Sequence, residues 1–428
     1  MPSHVLENAE STQRPGKRLP SLPVALSALT ASVLALSALM YSIAPAFYTG
    51  DLRAYVEGGR LLKEPGLYTS LFPIGDGGTL IPFIYPPFAA IIFAPLQLVP
   101  LPVVAIGWSV ATGLALWTSI WLALKLVTNH RLTTSSQVTI SLLWTAAALW
   151  TAPVRHTLYE GQVSVFIMAG VLVAVYIRSN TTSGIIVGLL AGLKLTPAVT
   201  GIYFLLRRRV GTAVTAAVTF AATIAIATTI SPQNTFDYFL GGGIASVPER
   251  VGGVGTVANQ SLRGTLSRFM GHDAGQGTWW ILAATALVAL AIVAIYRHRY
   301  DDFVPLIIIQ LTTCALSPLA WSHHWVWIIP LLIWIMHGPM RHTRVGKILA
   351  ALWILGTVAW YVELMLFVQT SNYQYDRPLW QSIGGSAYVL GLMLVLVWMC
   401  IASPPVNTSA RAPLRTRSPQ AGLTSSNT

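Results

Sequence analysis

Residues 22 to 47 read LPVALSALTASVLALSALMYSIAPAF, a stretch without a single charged side chain. A helix needs roughly 20 apolar residues to cross a bilayer, and this run exceeds that. It is too long for the core of a signal peptide and lacks a small-residue cleavage site, so it reads as a retained helix. Similar runs recur along the 428-residue chain, which is 54% hydrophobic and only 9% charged, with a mean hydropathy of +0.63. Soluble domains carry roughly a quarter charged residues. The expected fold class is therefore an all-α polytopic membrane protein.

The net charge of +12 invites a nucleic-acid reading, but its distribution excludes one. Most Lys and Arg residues stand in short clusters beside hydrophobic ends, such as Arg207 to Arg209, Arg297 with Arg299, and Arg341, Arg344 and Lys347. Basic residues mark the cytoplasmic ends of spans, so these clusters set the topology. They place spans near 23–46, 101–126, 135–153, 162–178, 211–231, 277–296, 303–319, 324–338, 346–368 and 382–402. Residues 1–21 and 403–428, rich in Ser, Thr, Pro, Asn and Arg, are expected to be disordered cytoplasmic ends. Between them, residues 22–402 form one membrane domain with long outer loops at 47–100 and 232–276. The segment SGIIVGLLAGLKLTPAVTGIYFLL (183–206) has basic residues beyond both ends. It either enters and returns, broken at Lys194 to Pro197, or crosses once with a kink.

The outer side holds most of the 14 acids. One of them, Asp51, stands where the first span leaves the membrane. It opens DLRAYVEGGRLLKE, whose apolar residues recur at helical spacing, as in an amphipathic helix lying on the outer leaflet. As a helix N-cap, Asp51 bonds the free amides of the first turn; as a general base, it takes a proton from an acceptor hydroxyl. The sequence allows both. Downstream, the four prolines of IPFIYPPFAAIIFAPLQLVP (81–100) suit a short helix dipping into the interface.

Other polar residues divide in the same way. His323 and His324 end a span among Trp321, Trp325 and Trp327, which read as interfacial anchors. Adjacent helical histidines diverge by about 100° and chelate one metal poorly, so the pair is either plain interfacial polarity or one ring on a phosphate or sugar while the other packs. Lys194 in apolar sequence is costly and needs an anion, unless it snorkels to an interface. Glu363 is a similar intramembrane acid with no evident role. Asn259, Gln260 and Arg263 in NQSLRGTLSRF, and Glu160 and Gln162 in HTLYEGQVSVF, offer hydrogen bonds to sugar or phosphate, or else serve as caps. Cys314 and Cys400 lie in apolar segments as packing residues.

In order along the chain, DLRAYVEGGRLL, YPPFAAIIFAPL, GQVSVFIM, GLKLTPAV with LLRRR, NQSLRG and SPLAWSHHWVWIIP resemble the actinobacterial polyprenyl-phosphomannose-dependent α-1,2-mannosyltransferases of the GT-C class. The resemblance runs from about residue 25 to 400. It implies a GT-C fold with about 10–12 transmembrane or re-entrant helices and an active site on the periplasmic face. The implied reaction moves mannose, with inversion, from polyprenyl-phosphomannose to a glycolipid, either a phosphatidylinositol mannoside or lipomannan. Asp51 matches the family's base by position. His323 and His324 match the place that meets the donor phosphate, with Lys194 and Arg263 as further donor contacts. Asn259, Gln260, Glu160, Gln162 and Tyr85 are the expected acceptor or sugar contacts. Basic groups can stabilise a departing lipid phosphate, so no metal or other cofactor is expected. The partners are the lipid donor, the glycolipid acceptor and the bilayer.

Rival readings are an arabinofuranosyltransferase with a polyprenyl-phosphoarabinose donor, a transporter using Lys194, Glu363 and the histidines, and a lipid-binding assembly subunit. Against transport, the acids gather in outer loops and no matched pair of broken helices is evident.

Overall fold

The structure, a computed structural model, describes residues 20–43, 49–74, 79–371 and 374–402. Apart from residues 20 and 21, the expected disordered ends lie outside the described residues. Among the described residues four helices are long and apolar enough to cross a membrane: Leu22–Ile43, Leu101–Thr128, Val210–Ile230 and Thr278–Arg297. Two bent pairs raise the number to six, Thr134–Ala148 with Ala152–Glu160 at 73° and Arg344–Val358 with Tyr361–Val368 at 51°. Shorter apolar helices fill the bundle, including Ser164–Tyr176, Asn180–Leu193, Val304–Leu316 and Ala387–Ile401. Every expected span contains a helix. Among the described residues one antiparallel strand pair departs from the all-helical expectation: Leu71–Ile74 with Thr79–Pro82.

Helix ends follow local chemistry. Pro102 stands in the first turn of Leu101–Thr128, where its missing N–H costs nothing. Asn129 closes that helix in the left-handed region, at φ 49°. The Ser179 hydroxyl caps Asn180–Leu193 by accepting from the Thr182 amide.

The 183–206 segment enters and returns. Gly184, Gly188 and Gly192 face Thr215, Thr219 and Thr223 in turn. The constant offset means that helices Asn180–Leu193 and Val210–Ile230 run parallel, so the chain between them comes back to its starting level. Arg209 closes the excursion by donating to the Ile177 carbonyl, the Ser183 hydroxyl and the Asn180 side-chain carbonyl. Small residues let the two backbones approach closely, as membrane helices require for tight packing.

Basic ends of several helices meet on one face of the bundle. Arg207 donates to the Arg299 carbonyl at 3.1 Å and pairs with Asp302 at 3.1 Å. His298 meets the Met399 carbonyl, and Trp334 donates to Asp301. Helices Asn180–Leu193 and Val304–Leu316 both start at this face. Their far ends deliver Lys194 and the Ser317–His324 stretch to the other end of the bundle.

Two expectations change there. Helix Gly50–Arg60 does not lie with its apolar face on lipid. Leu52 and Tyr55 are fully buried, and the helix packs on Pro87–Phe93 and Ala94–Leu98, with Gly59 against the Ala94 backbone. Of the three tryptophans taken as anchors, Trp325 and Trp327 are buried core residues and only Trp321 is half-exposed. Protein packing supplies the apolar partner that the sequence had assigned to lipid.

Candidate active site

At the end away from the basic clusters is a cavity of about 770 Å³. Helix Gly50–Arg60 brings Asp51 to its wall. Thr49, in the left-handed region at φ 41°, is the N-cap residue, so Asp51 lies inside the first turn and does not cap. Its carboxylate instead accepts a hydrogen bond from Gln162 Nε2 at 2.5 Å. Burial pushes the Asp51 pKa up to about 6, while the Gln162 bond and the nearby positive charge of Lys194 pull it down. An acid so placed ionises near neutrality, which suits a general base.

Gln162 is itself held. Its Oε1 lies 3.1 Å from the Tyr55 hydroxyl and 3.2 Å from the Tyr85 hydroxyl, and the two phenols are 2.9 Å apart. Tyr85 lines the cavity, and its ring lies 5.3 Å below the Lys194 ammonium, within cation–π range. The Asp51–Gln162 network and the Lys194 ammonium therefore share one aromatic ring.

Lys194 is where the returning segment breaks. Helix Asn180–Leu193 ends there in an extended conformation, and the 3₁₀ turn Thr196–Val199 follows with Pro197 in it. The freed side chain points into the cavity and donates to His324 Nε2 at 3.1 Å. An ammonium has only protons to give, so it fixes Nε2 of His324 as the acceptor. The neighbouring His323 ring stands at 86° to that of His324, with centroids 4.5 Å apart. His323 is buried on the cavity wall, and its Nε2 has no hydrogen-bond partner among the described residues. One ring is thus tied to lysine, while the other offers an unused nitrogen.

The bent helix Ala152–Glu160 forms another wall. His156 and Glu160, one helical turn apart, both line the cavity. Glu160 is within electrostatic reach of Asp51. His156 Nδ1 lies 2.6 Å from the Ser322 hydroxyl, and Nε2 lies 3.2 Å from Glu363. Arg155 stacks on Trp360 at 3.2 Å and approaches Glu363 at 3.7 Å. This chain ties the histidine-bearing turn to helix Tyr361–Val368 and gives Glu363 the partners its sequence position did not reveal.

Asp51, Tyr85, Glu160, Gln162, Lys194, His323 and His324 meet around one cavity; the other three expected site residues do not line it. The sugar-binding expectation for Asn259 and Gln260 is corrected by their burial and by bonds that occupy their amides. Asn259 accepts from the Ser261 and Ala320 amides and donates to the Val254 carbonyl. Gln260 donates to the Val257 and Gly385 carbonyls and accepts from the Tyr388 amide. Both clamp loops together. Arg263 is not a cavity group either, because it forms a two-pronged pair with Asp273 at 3.0 and 2.7 Å. Sequence reasoning gave no role to Tyr55, Ser322 or Glu363. A tyrosine on the buried face of an amphipathic helix and an acid in an apolar run were the available signals.

Comparison with known proteins matches glycosyltransferase family 87 over residues 83–321. Over 369 residues the chain is 34% identical to a polyprenol-phosphate-mannose-dependent alpha-(1-2)-phosphatidylinositol pentamannoside mannosyltransferase of Mycobacterium tuberculosis, covering 84% of this chain and 83% of the relative. It is 36% identical to the protein of that description from Mycolicibacterium smegmatis, covering 87% and 90%. A polyprenol-phosphate-mannose-dependent alpha-(1-2)-phosphatidylinositol mannoside mannosyltransferase of M. smegmatis is 28% identical, with 82% of each chain covered. No solved structure matches.

Proposed function

The chain belongs to glycosyltransferase family 87, a GT-C-type family of membrane enzymes, and we propose that it moves mannose from polyprenyl-phosphomannose to a phosphatidylinositol mannoside in α-1,2 linkage. The observation that carries this reading is the meeting, in one cavity, of a carboxylate suited to act as a base with Lys194 and an unpartnered histidine nitrogen. Asp51 takes the proton of an acceptor 2-hydroxyl. The oxygen attacks C1 of β-mannosyl phosphate, the C1–O bond to phosphate breaks, and its electron pair leaves with the polyprenyl phosphate. Inversion makes the new linkage α. Lys194 and His323 Nε2 hold the phosphate as its negative charge grows, and charge-assisted bonds of this kind are the stronger ones. His324 orients Lys194. Glu160 and Tyr85 border the acceptor sugar, where a carboxyl group and a phenol can hydrogen-bond its hydroxyls.

The site is at the end of the bundle opposite the basic clusters, which supports a periplasmic location under the positive-inside rule. A lipid-anchored donor presents its sugar at that depth. The higher identity to the relatives named for phosphatidylinositol pentamannoside favours pentamannoside as acceptor. Their names specify mannose, and none supports the arabinosyl or transport readings.

The test is transfer of labelled mannose from polyprenyl-phosphomannose by the purified protein in nanodiscs, with pentamannoside and smaller mannosides as competing acceptors. The expected product carries label that an α-1,2-specific mannosidase removes. Absence of transfer from the mannosyl lipid to every acceptor contradicts the reading. In the same assay, Lys194→Gln and His323→Ala should each raise the donor KM by about 10- to 100-fold, the loss expected for one hydrogen bond to a charged group.

A further inference from the structure

We propose that Gln162 is a positioning residue for Asp51, locked in one amide orientation by the paired phenols of Tyr55 and Tyr85, and not a sugar contact. The proposal rests on Asp51 being the base in the reading above. Its geometry is independent of which sugar is transferred.

A side-chain amide has a donor end and an acceptor end, and only its surroundings decide which way it points. Here the surroundings leave one solution. Tyr55 and Tyr85 bring two hydroxyl protons to three short contacts, one between the phenols and two to Gln162 Oε1. At most one proton lies between the two phenol oxygens, which leaves the other for Oε1, and the ionised Asp51 carboxylate, which can only accept, takes the Nε2 side. The Gln162 oxygen is therefore fixed on the tyrosine side, and Nε2 is turned to Asp51 Oδ2. Tyr55 is fully buried, and Gln162 is 3% exposed. Neither can rotate into solvent to satisfy the amide in another way.

The lock has two consequences. It holds one carboxylate oxygen, leaving the other for the acceptor hydroxyl. It also favours the ionised acid, because an N–H donor bonds a carboxylate better than a neutral acid. If the amide were free to turn, Oε1 could face Asp51 and accept a proton from it, which would favour the form that cannot act as a base. Other groups facing Asp51 are the Lys194 ammonium, the Glu160 carboxylate and the two phenols. Lys194 and Glu160 stay in place in every variant below.

The experiment is an infrared pH titration of the protein in nanodiscs without substrate, following the carbonyl band of protonated Asp51, assigned by its loss in Asp51→Asn. Gln162→Leu should move the midpoint up by about one pH unit, a tenfold change in the protonation equilibrium. Either phenol can hold Oε1, so Tyr55→Phe or Tyr85→Phe alone should move it by less than about a third of that amount. The double variant, which keeps ring volume and packing but frees the amide, should move it in the same direction as Gln162→Leu and by more than the two single variants together. This excess over the single variants is what a merely structural role would not produce. A midpoint unchanged in both Gln162→Leu and the double variant overturns the proposal. Failure of mannosyl transfer with the midpoints moving as expected would instead overturn the donor assignment and leave the lock standing.

Discussion

Asp51 at the cavity wall and Asn259 behind it show what burial does to two polar residues of similar size. Asp51 keeps one partner and faces open volume, whereas the Asn259 amide is consumed by backbone groups. Asn259→Ala should therefore cost stability by about 1–3 kcal/mol, the price of leaving buried amides unbonded. Its acceptor KM, measured on the folded fraction, should change by less than twofold. For Asp51 the expected signature is a pH profile. The base works only when ionised, so kcat/KM should rise through about pH 6 and fall tenfold per unit below it. Asp51 was legible in the sequence because acids are scarce and this one follows the first apolar run. The fates of Arg263 and Asn259 were not, because hydrogen-bonding side chains in an outer loop look alike until their partners are placed. Arg263 finds Asp273 and Asn259 finds Ala320, contacts that no local pattern encodes.

Among the elements, the returning segment was half readable: basic residues beyond both ends and Pro197 near Lys194 raised a return as one of two readings, and the parallel packing of Gly184, Gly188 and Gly192 on Thr215, Thr219 and Thr223 decides for it. Its packing makes a firm prediction. A Cβ at Gly188 would collide with Thr219 Cβ and fall 2.6 Å from the Ala216 carbonyl oxygen. Gly188→Leu should separate the two helices and reduce recovery of folded protein, with the thermal midpoint in nanodiscs lowered by several degrees. Gly201, which has nothing within 4 Å of a built Cβ, should accept alanine without that loss. The bends were less legible. Pro153 hints at the 73° turn before helix Ala152–Glu160, but the 51° turn at Trp360 has no proline. There the tryptophan takes a left-handed conformation, at φ 58°, while its ring stacks under Arg155. Tertiary contact decides that bend, and with it the place of Glu363.

For the whole molecule, the two ends divide the work. Basic clusters bind helix ends together on one face, and the cavity lined by Asp51 and Lys194 occupies the other. The sidedness proposed above can be tested directly. In intact cells a membrane-impermeant thiol reagent should label Lys63→Cys, while Arg344→Cys should label only after permeabilisation; both positions are exposed. Labelling with the reverse pattern would put the cavity on the cytoplasmic face.

The most direct measurement is the turnover of Asp51→Asn against wild type in matched nanodiscs at saturating polyprenyl-phosphomannose and acceptor. Asparagine keeps the size of the side chain and can still meet Gln162, but it cannot take a proton. A fall of about 10²- to 10⁴-fold in kcat, with the thermal midpoint and donor binding unchanged, is the predicted result. Turnover within a few-fold of wild type would contradict it and return Asp51 to the role of a buried structural acid.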